Sequence, residues 1–301
     1  MKSTFGQSDL WRVCEGLYFP QRFRIRSSLT RRQYQFAVSG LAEMLRRPAI
    51  VADLCDQTLI KMVHWLEAKG LSPKTVNERV GRLKCLWRWL ADKGLVKLRP
   101  TVEKIPEPIR TPRAWTRPQL AALFEAAGRM PGRVGMFRSP VWWTAFLGTA
   151  WYTGERTHAL LECRWEWLDG KALHVPAEVR KGGRKDALYI LPADCLTLLV
   201  PLSGPSPLIF PWPQTLCNFY LRYDRLLRLA GLPTGRMNKL QKIRRSHATW
   251  LKVAGGDPTR SLMHDDPSTT IRSYLDPSLG NAPPPLFRPW DTIGGDGPGP
   301  G

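Results

Sequence analysis

Four short segments in the second half of the chain carry arginine, lysine, histidine and tyrosine side chains that could act on a phosphate group. An arginine guanidinium stays charged and offers a planar fork of donors to phosphate oxygens. Donors fixed where charge develops are usually the largest catalytic contribution, so a pair of arginines can serve phosphate chemistry without a metal ion. The segments are YTGERTHALLECRWEWLD (152–169), RKGGRKDALYILP (180–192), QKIRRSHATW (241–250) and LMHDDPSTTIRSYLDP (262–277).

The whole chain is strongly basic, which indicates a polyanionic partner. It has 301 residues, a formal net charge of +20 and a sequence pI near 10.2. Residues 1–113 carry 22 basic and 10 acidic side chains and the remainder carries 23 and 15, so the charge is not confined to one tail. Lysine and arginine beside phosphates release condensed counterions. We therefore expect a nucleic acid partner, with a membrane surface or ordinary solubility as the alternatives.

The sequence lacks the signals of several other classes of protein. No apolar run of roughly 18 residues exists, and the first residues lack the apolar core of a signal peptide. We therefore expect a cytoplasmic, nucleoid-associated protein without a membrane span. No cofactor is expected, because the cysteines are scattered without a metal-binding spacing, which predicts reduced thiols and no zinc site. These cysteines are Cys14, Cys55, Cys85, Cys163, Cys195 and Cys217.

Hydrophobic periodicity predicts a helical first part of the chain. An apolar stripe of helical period starts near Leu29, and further helices are predicted at 56–69 and 72–92. Residues 97–114 contain four prolines and break the periodicity, as an extended linker does. The predicted organisation is an N-terminal arm at 1–26, a helical domain at 27–97, a linker at 98–114, a second domain at 115–280 and a disordered tail at 281–301.

The second part is predicted to mix helices with short strands. Residues 140–152 form a strongly apolar run that indicates a fully buried helix, and helices are also expected at 215–230 and 244–253. The turn at 182–185 is expected to join the second and third strands as a hairpin. The predicted strands are 171–175, 178–181 and 187–191.

Taken in order, the four segments resemble the motifs of the tyrosine recombinase (phage-integrase, Xer-like) family of site-specific DNA recombinases. The second part resembles the catalytic domain of that family and the first part its helical core-binding domain, over residues 27–280. The resemblance implies a mainly α fold with a small β-sheet or hairpin, in which a SAM-like core-binding domain and the catalytic domain form a C-shaped clamp around DNA. The implied active-site residues are Arg156, Lys181, Gln241, Arg244, His264 and Tyr274.

In this family a tyrosine hydroxyl attacks a DNA phosphodiester, forms a 3′-phosphotyrosine bond and frees a 5′-hydroxyl, without metal or ATP. The resemblance implies that Tyr274 is the nucleophile and that Arg156 and Arg244 stabilise the transition-state charge. Lys181 would protonate the leaving oxygen, and His264 would bind a nonbridging oxygen or orient the site. The implied partners are double-stranded DNA, further copies of the chain in a homotetramer on two DNA sites, and accessory proteins that bend DNA or set direction.

The chain departs from the family pattern at three places. Gln241 stands where the family usually has histidine or lysine, and a glutamine cannot shuttle a proton near neutral pH. Ala159 occupies a position that is often acidic, so Arg156 needs support from another carboxylate, for which Glu155 and Glu162 are the candidates. Arg245 replaces a common histidine. These changes predict weakened activity rather than a different ancestry.

Basic side chains outside the implied active site are candidates for contact with DNA. Contacts with the phosphate backbone mostly position a protein and do not specify a base sequence, so the target sequence stays open. Lys185 is also the alternative to Lys181 as the acid. The candidates are Lys74, Arg79, Arg82, Arg184 and Lys185.

Three other functions stay open at the level of the sequence. A relative that binds DNA without cutting it, as a repressor or architectural protein, is favoured by Gln241 and Ala159. A type IB topoisomerase-like enzyme would relax DNA with the same tyrosine chemistry. A basic helical RNA-binding protein would leave the ordered segments unexplained. The biological task also stays open, whether integration of a mobile genetic element, excision or dimer resolution, as does whether Tyr274 acts in its own protomer.

Overall fold

The structure, a computed structural model, describes residues 5–23, 25 and 27–280. The chain divides into two compact units, Met1–Ile109 and Arg110–Gly301, and the boundary lies inside the segment where the sequence predicts a linker. Both units are mainly helical, and the second contains two small antiparallel sheets. No helix among the described residues is long and apolar enough to cross a membrane. The tail predicted at 281–301 lies outside the described residues.

The first unit is a helical bundle. Its helices are α1 (Leu10–Val13), α2 (Phe19–Gln21), α3 (Ser28–Leu45), α4 (Asp56–Ala68) and α5 (Pro73–Asp92), with a π-helical turn at Cys14–Tyr18 and a 3-10 turn at Val51–Asp53. Local sequence determines where α5 begins, because the Ser72 side chain accepts a hydrogen bond from the Thr75 amide at 3.4 Å and Pro73 fits the first turn. The apolar stripe of α5, which includes Leu83 and Trp87, is buried in the core.

The beginning of the chain contributes to this core. Leu10, Tyr18 and Phe19 are buried, and the hydroxyl oxygens of Tyr18 and Tyr34 lie 2.9 Å apart. Residues 10–19 of the segment 1–26, which the sequence set apart as an arm, therefore contribute to the core of the first unit.

The start of the proline-rich segment also packs on the first unit. The Asn77 side chain donates to the Ile105 carbonyl at 2.9 Å and accepts from the Ile105 amide at 3.0 Å. Val102 is buried in the core. The break in periodicity therefore marks where the helices end, while the packing continues for several residues beyond it.

The second unit surrounds a helix that is buried on almost every side. Its helices are α6 (Arg117–Gly128), α7 (Ser139–Thr153), α8 (Thr157–Leu161), α9 (Ala193–Leu199), α10 (Leu216–Leu229), α11 (Gln241–Val253), α12 (Pro258–Ser261), α13 (Pro267–Tyr274) and α14 (Pro277–Gly280). The side chains of Trp142, Trp143 and Phe146 on α7 are fully buried. The prediction of a fully buried helix at 140–152 is confirmed except at its end, where Tyr152 is 39% exposed. The 3-10 turns of this unit are Trp165–Trp167, Ala177–Val179, Val200–Leu202 and Arg236–Asn238.

The two sheets of the second unit are short. One is a hairpin of β1 (Arg133–Val134) and β2 (Phe137–Arg138), and the other has the order β3 (Leu168–Asp169), β4 (Ala172–Val175) and β5 (Ala187–Ile190). In the larger sheet Ala172 pairs with Ile190 and Val175 pairs with Ala187.

The predicted strand at 178–181 is wrong, and so is the hairpin that was built on it. β5 pairs with β4, and residues 176–186 form the connection, which we call the lysine loop. Pro176 has no amide donor for a ladder, and Ala177–Val179 form a 3-10 turn instead. The Ala177 amide donates to the Asp186 side chain at 2.8 Å, which closes the base of the loop. Lys181 therefore lies on an exposed loop and not on a strand.

Candidate active site

Five of the predicted site residues come together where α7, α11 and α13 meet. Gln241 and Arg244 lie on the first turns of α11, and Tyr274 is the last residue of α13. His264 lies between α12 and α13, and Arg156 immediately precedes α8. The chain reaches Arg156 through Gly154, whose φ of 62° ends α7 in a left-handed turn.

The Tyr274 side chain is enclosed by the other members of the cluster. Its hydroxyl accepts a hydrogen bond from the Gln241 amide nitrogen at 3.1 Å. The guanidinium carbon of Arg244 lies 5.2 Å from the centre of the tyrosine ring, and the ring centres of His264 and Tyr274 are 4.8 Å apart. Burial opposes ionisation of the hydroxyl, but the charges of Arg244 and Arg156 outweigh it, and the pKa of Tyr274 is lowered from its ordinary value.

The backbone at Tyr274 is fixed by contacts with α11 and with the start of the second unit. Thr249 donates to the Tyr274 carbonyl at 3.2 Å and accepts from the Asp276 amide at 3.0 Å. The carboxylate of Asp276 in turn accepts from the Ala114 amide at 2.8 Å. The segment that carries the tyrosine is therefore held by its own chain.

Arg244 is a buried charge that holds several parts of the site. Its Nη1 donates to the Gly154 carbonyl at 2.6 Å, and its Nη2 donates to the Leu262 carbonyl at 3.2 Å. Nη2 also lies 3.2 Å from Nε2 of His264. Burial lowers the pKa of Arg244, and Arg156 adds to that effect, but an arginine this basic remains charged at neutral pH.

The contacts of His264 determine its tautomer. An arginine N–H can only donate, so the Nε2 of His264 accepts from Arg244. The proton of a neutral ring is then on Nδ1, which lies 2.8 Å from the Thr270 hydroxyl. Burial, followed by the charges of Arg244 and Arg156, lowers the pKa of His264 to about 4. At neutral pH this ring is uncharged, and both of its nitrogens are engaged.

Glu155 is the carboxylate that supports the arginines. Its side chain is fully buried, and its Oε1 accepts from the Arg156 amide at 2.7 Å and lies 3.7 Å from Nη1 of Arg244. Its Oε2 accepts from Arg180 Nε at 2.7 Å and from the Tyr189 hydroxyl at 2.8 Å. Burial opposes its ionisation, but Arg244 and Arg180 outweigh that effect and lower the pKa of Glu155. Glu162, the other candidate, is exposed.

The remaining predicted residues lie around this cluster or in the first unit. Lys181 and Arg184 are exposed on the lysine loop, and Lys185 on the same loop forms an ion pair with Asp265. In the first unit Lys74 is exposed and Arg79 is half-buried. Arg82, also half-buried, donates to Gln33 at 2.5 Å and lies over the ring of Tyr34.

Sequence reasoning missed Arg180 and Tyr189. Both bind Glu155, and both are buried. Tyr189 carried no usable signal, because its exposed neighbours Leu188 and Ile190 are apolar, so the inward and outward positions of β5 look alike in the sequence. Arg180 carried none, because its segment is basic throughout. Among the described residues, no three histidine, cysteine or acidic side chains lie together as a metal site requires.

Comparison with solved structures places the chain in the tyrosine recombinase fold. One similar structure is a lambda integrase dimer bound to a COC′ core site, with a TM-score of 0.71, 14% identity, and coverage of 95% of this chain and 82% of that one. Another is the Tn1549 transposon integrase with circular-intermediate DNA, with a TM-score of 0.70, 12% identity, and coverage of 95% and 99%. The post-cleavage complex of XerH with palindromic difH has a TM-score of 0.65, 16% identity, and coverage of 85% and 79%.

With sequence identities of 12–16%, the similarity to these structures establishes the fold alone. The resemblance drawn from the four segments is confirmed at that level, and so is the mainly α fold class with a small sheet. No protein-family model and no curated protein matches the chain.

Proposed function

We propose that this chain is a site-specific DNA recombinase that cuts and rejoins strands through a 3′-phosphotyrosine bond at Tyr274. One observation carries the proposal: the Tyr274 side chain contacts Gln241, Arg244 and His264, and the charge of Arg156 also acts on its hydroxyl. The positive charge beside the hydroxyl lowers its pKa, which favours the phenolate that must attack. The same charges suit a phosphodiester, whose nonbridging oxygens gain negative charge in the transition state.

In the proposed reaction one bond to phosphorus forms, another breaks, and the leaving oxygen receives a proton. Tyr274 Oη attacks phosphorus, and the bond between phosphorus and the 5′-oxygen breaks with its electron pair staying on that oxygen. The Nζ of Lys181 gives a proton to the 5′-oxygen, and the phenolic proton leaves to water. Rejoining is the reverse, with the 5′-hydroxyl of another strand as the nucleophile. The energy of the phosphodiester is kept in the tyrosine ester, so no ATP is needed.

Each of the other residues has a role that its contacts support. Arg156, whose side chain is 26% exposed, is able to reach a nonbridging oxygen, and Arg244 adds a second charge from within the protein. Gln241 donates to the nucleophilic oxygen and stabilises the phenolate. His264 is neutral and orients Arg244, so its role is to position that charge and not to transfer a proton.

The proposed partners are double-stranded DNA and further copies of this chain. Lambda integrase has been crystallised as a tetramer bound to a Holliday junction, with a TM-score of 0.67 to this chain. We propose the same assembly here, four protomers on two DNA sites. Strand exchange requires it, because two duplexes have four strands to cut.

The test is a covalent-trapping assay. Duplexes that the purified chain binds are first selected from a random-sequence library, and nicked versions are then made so that the cleaved end diffuses away. A protein–DNA band on a denaturing gel is expected for the wild type and not for Tyr274→Phe, with both proteins binding the DNA equally. A band from Tyr274→Phe would mean another nucleophile, and no band from either would refute DNA cleavage.

The alternatives are separated by a second assay. A protein that only relaxes DNA would remove supercoils from a circle with one site and would give no exchange between two sites. A recombinase gives products in which the flanking sequences of two sites are joined. Exchange is the expected result, because the solved structures that share this fold include a lambda integrase tetramer bound to a Holliday junction, in which two duplexes are joined.

A further inference from the structure

The side chain of Arg180, immediately before Lys181, turns into the protein and closes the lysine loop. Its Nε donates to Glu155 Oε2 at 2.7 Å. Its Nη1 donates to the Lys185 carbonyl at 2.9 Å and approaches the Asp186 carbonyl at 3.4 Å. One guanidinium therefore connects the buried carboxylate with both ends of the exposed stretch 181–185.

This stretch has few other contacts: Lys185 pairs with Asp265, and beside the stretch the Ala177 amide donates to Asp186 at 2.8 Å. Gly182 and Gly183 have φ values of 97° and 58°, in the region that favours glycine. All five residues from 181 to 185 are exposed. Within the stretch, the Gly183 amide donates to the Arg180 carbonyl at 3.0 Å. A long lysine side chain on such a loop loses much conformational freedom when it must reach one atom.

Glu155 gives the loop a fixed position relative to the arginines. The carboxylate that binds Arg180 also accepts from the Arg156 amide and lies 3.7 Å from Arg244. All of these groups belong to the second unit. One buried carboxylate therefore contacts both the lysine loop, through Arg180, and the arginines Arg156 and Arg244.

We infer that Arg180, through Glu155, is a positioning residue that fixes the lysine loop so that Lys181 reaches the leaving 5′-oxygen. The inference rests on the proposed function. An ordinary structural ion pair would affect folding alone, whereas a positioning residue affects one chemical event, the delivery of the proton.

The substitution that tests it is Arg180→Lys. A lysine keeps the positive charge and pairs with Glu155, but it lacks the fork that binds the carboxylate and the Lys185 carbonyl together. The matched control is Arg129→Lys, an exposed arginine that pairs with Glu125 on the surface of the second unit.

The readout compares two leaving groups. An alkoxide needs a proton to leave, whereas a thiolate is far less basic, with thiols having a pKa of about 8.5. Nicked duplexes, selected as above, are made with oxygen or with bridging sulfur at the scissile 5′ position. The rate of covalent attachment is measured on both.

For Arg180→Lys we expect attachment to slow by roughly 10²-fold on the oxygen substrate, as loss of acid catalysis does. On the sulfur substrate the rate is expected to stay close to that of the wild type. Lys181→Ala should show the same pattern, and Arg129→Lys should match the wild type on both substrates. Melting temperatures are measured in parallel.

Three results would overturn the inference while leaving strand cleavage by Tyr274 standing. One is an unchanged rate on oxygen, and another is an equal loss on both substrates, which a merely structural role predicts. The third is a failure of sulfur to restore Lys181→Ala, because Lys181 would then not be the acid. If the wild type forms no covalent product on either substrate, the proposed function fails and the inference falls with it.

Discussion

Replacing Glu155 with glutamine should destabilise the second unit strongly, because that carboxylate neutralises two buried arginines. Glu155 is 3% exposed, Arg244 is 1% exposed and Arg180 is 8% exposed. Glutamine keeps the shape and one acceptor oxygen, but its amide group would face the Arg180 Nε or the Arg156 amide, donor against donor. Removal of one partner of a buried ion pair costs about 3–5 kcal/mol. Since one acceptor remains, we expect the lower end, about 3 kcal/mol.

Thermal unfolding of the full chain measures this change. For a unit of this size, about 3 kcal/mol corresponds to a fall in Tm of roughly 6–12 °C. The matched control is Glu162→Gln, since Glu162 is an exposed acid seven residues further along the chain. The Tm of the second unit should fall in Glu155→Gln and stay at the wild-type value in Glu162→Gln. Equal melting of the two variants would refute the view that Glu155 holds the arginines.

Four shorter predictions follow from the same contacts. Arg244→Ala should slow covalent attachment by about 10²–10³-fold while filter binding shows DNA affinity retained; near-normal cleavage would contradict its role. His247 on α11 lies between the Trp151 carbonyl and the Ser261 hydroxyl, and burial lowers its pKa to about 4, as for His264. Because both values lie below the unfolded value of about 6.5, urea midpoints should be constant above about pH 6.5 and fall as the pH drops from there towards 4. Gln241→His should retain or raise the rate of attachment and add an acidic limb at about pH 6–7 to its pH profile; an unchanged profile would exclude proton transfer at this position. DNA affinity measured by titration should fall steeply with salt, and a flat response would count against contact with the phosphate backbone.

The longer helices were predictable because they have local signals, whereas short helices such as Leu10–Val13 and Ala193–Leu199 were missed. Ser72 and Pro73 begin α5, the glycine after α7 ends it, and the apolar run at 140–152 has no polar face to expose. The lysine loop was not predictable in the same way. The sequence here predicts a strand and a tight turn, but Pro176 has no amide donor and Ala177–Val179 form a 3-10 turn, so β5 pairs with β4 across residues 176–186.

The sequence predicted which residues form the site, but it did not predict the hydrogen bonds and ion pairs between them. Arg156, Arg244, His264 and Tyr274 were placed by motif order, and the structure brings them together. The sequence showed that an acid was missing at Ala159 and offered two replacements. Glu155 is buried and Glu162 is exposed, and this difference depends on how α7 and α11 pack.

The contacts around Tyr274 narrow how its hydroxyl can lose a proton. Gln241 donates to the hydroxyl and has no basic atom, and His264 has its Nε2 occupied by Arg244 and its Nδ1 by Thr270. Neither side chain is therefore a base for Tyr274 in this arrangement. The positive charge of Arg244 and Arg156 lowers the pKa of the hydroxyl directly. Activation by fixed charge, with the proton passing to water, needs no titrating group between pH 5 and 8. Gln241, in place of the histidine or lysine usual in the family, is thus compatible with the proposed catalysis, because the arginines proposed to bind the phosphate also favour the phenolate.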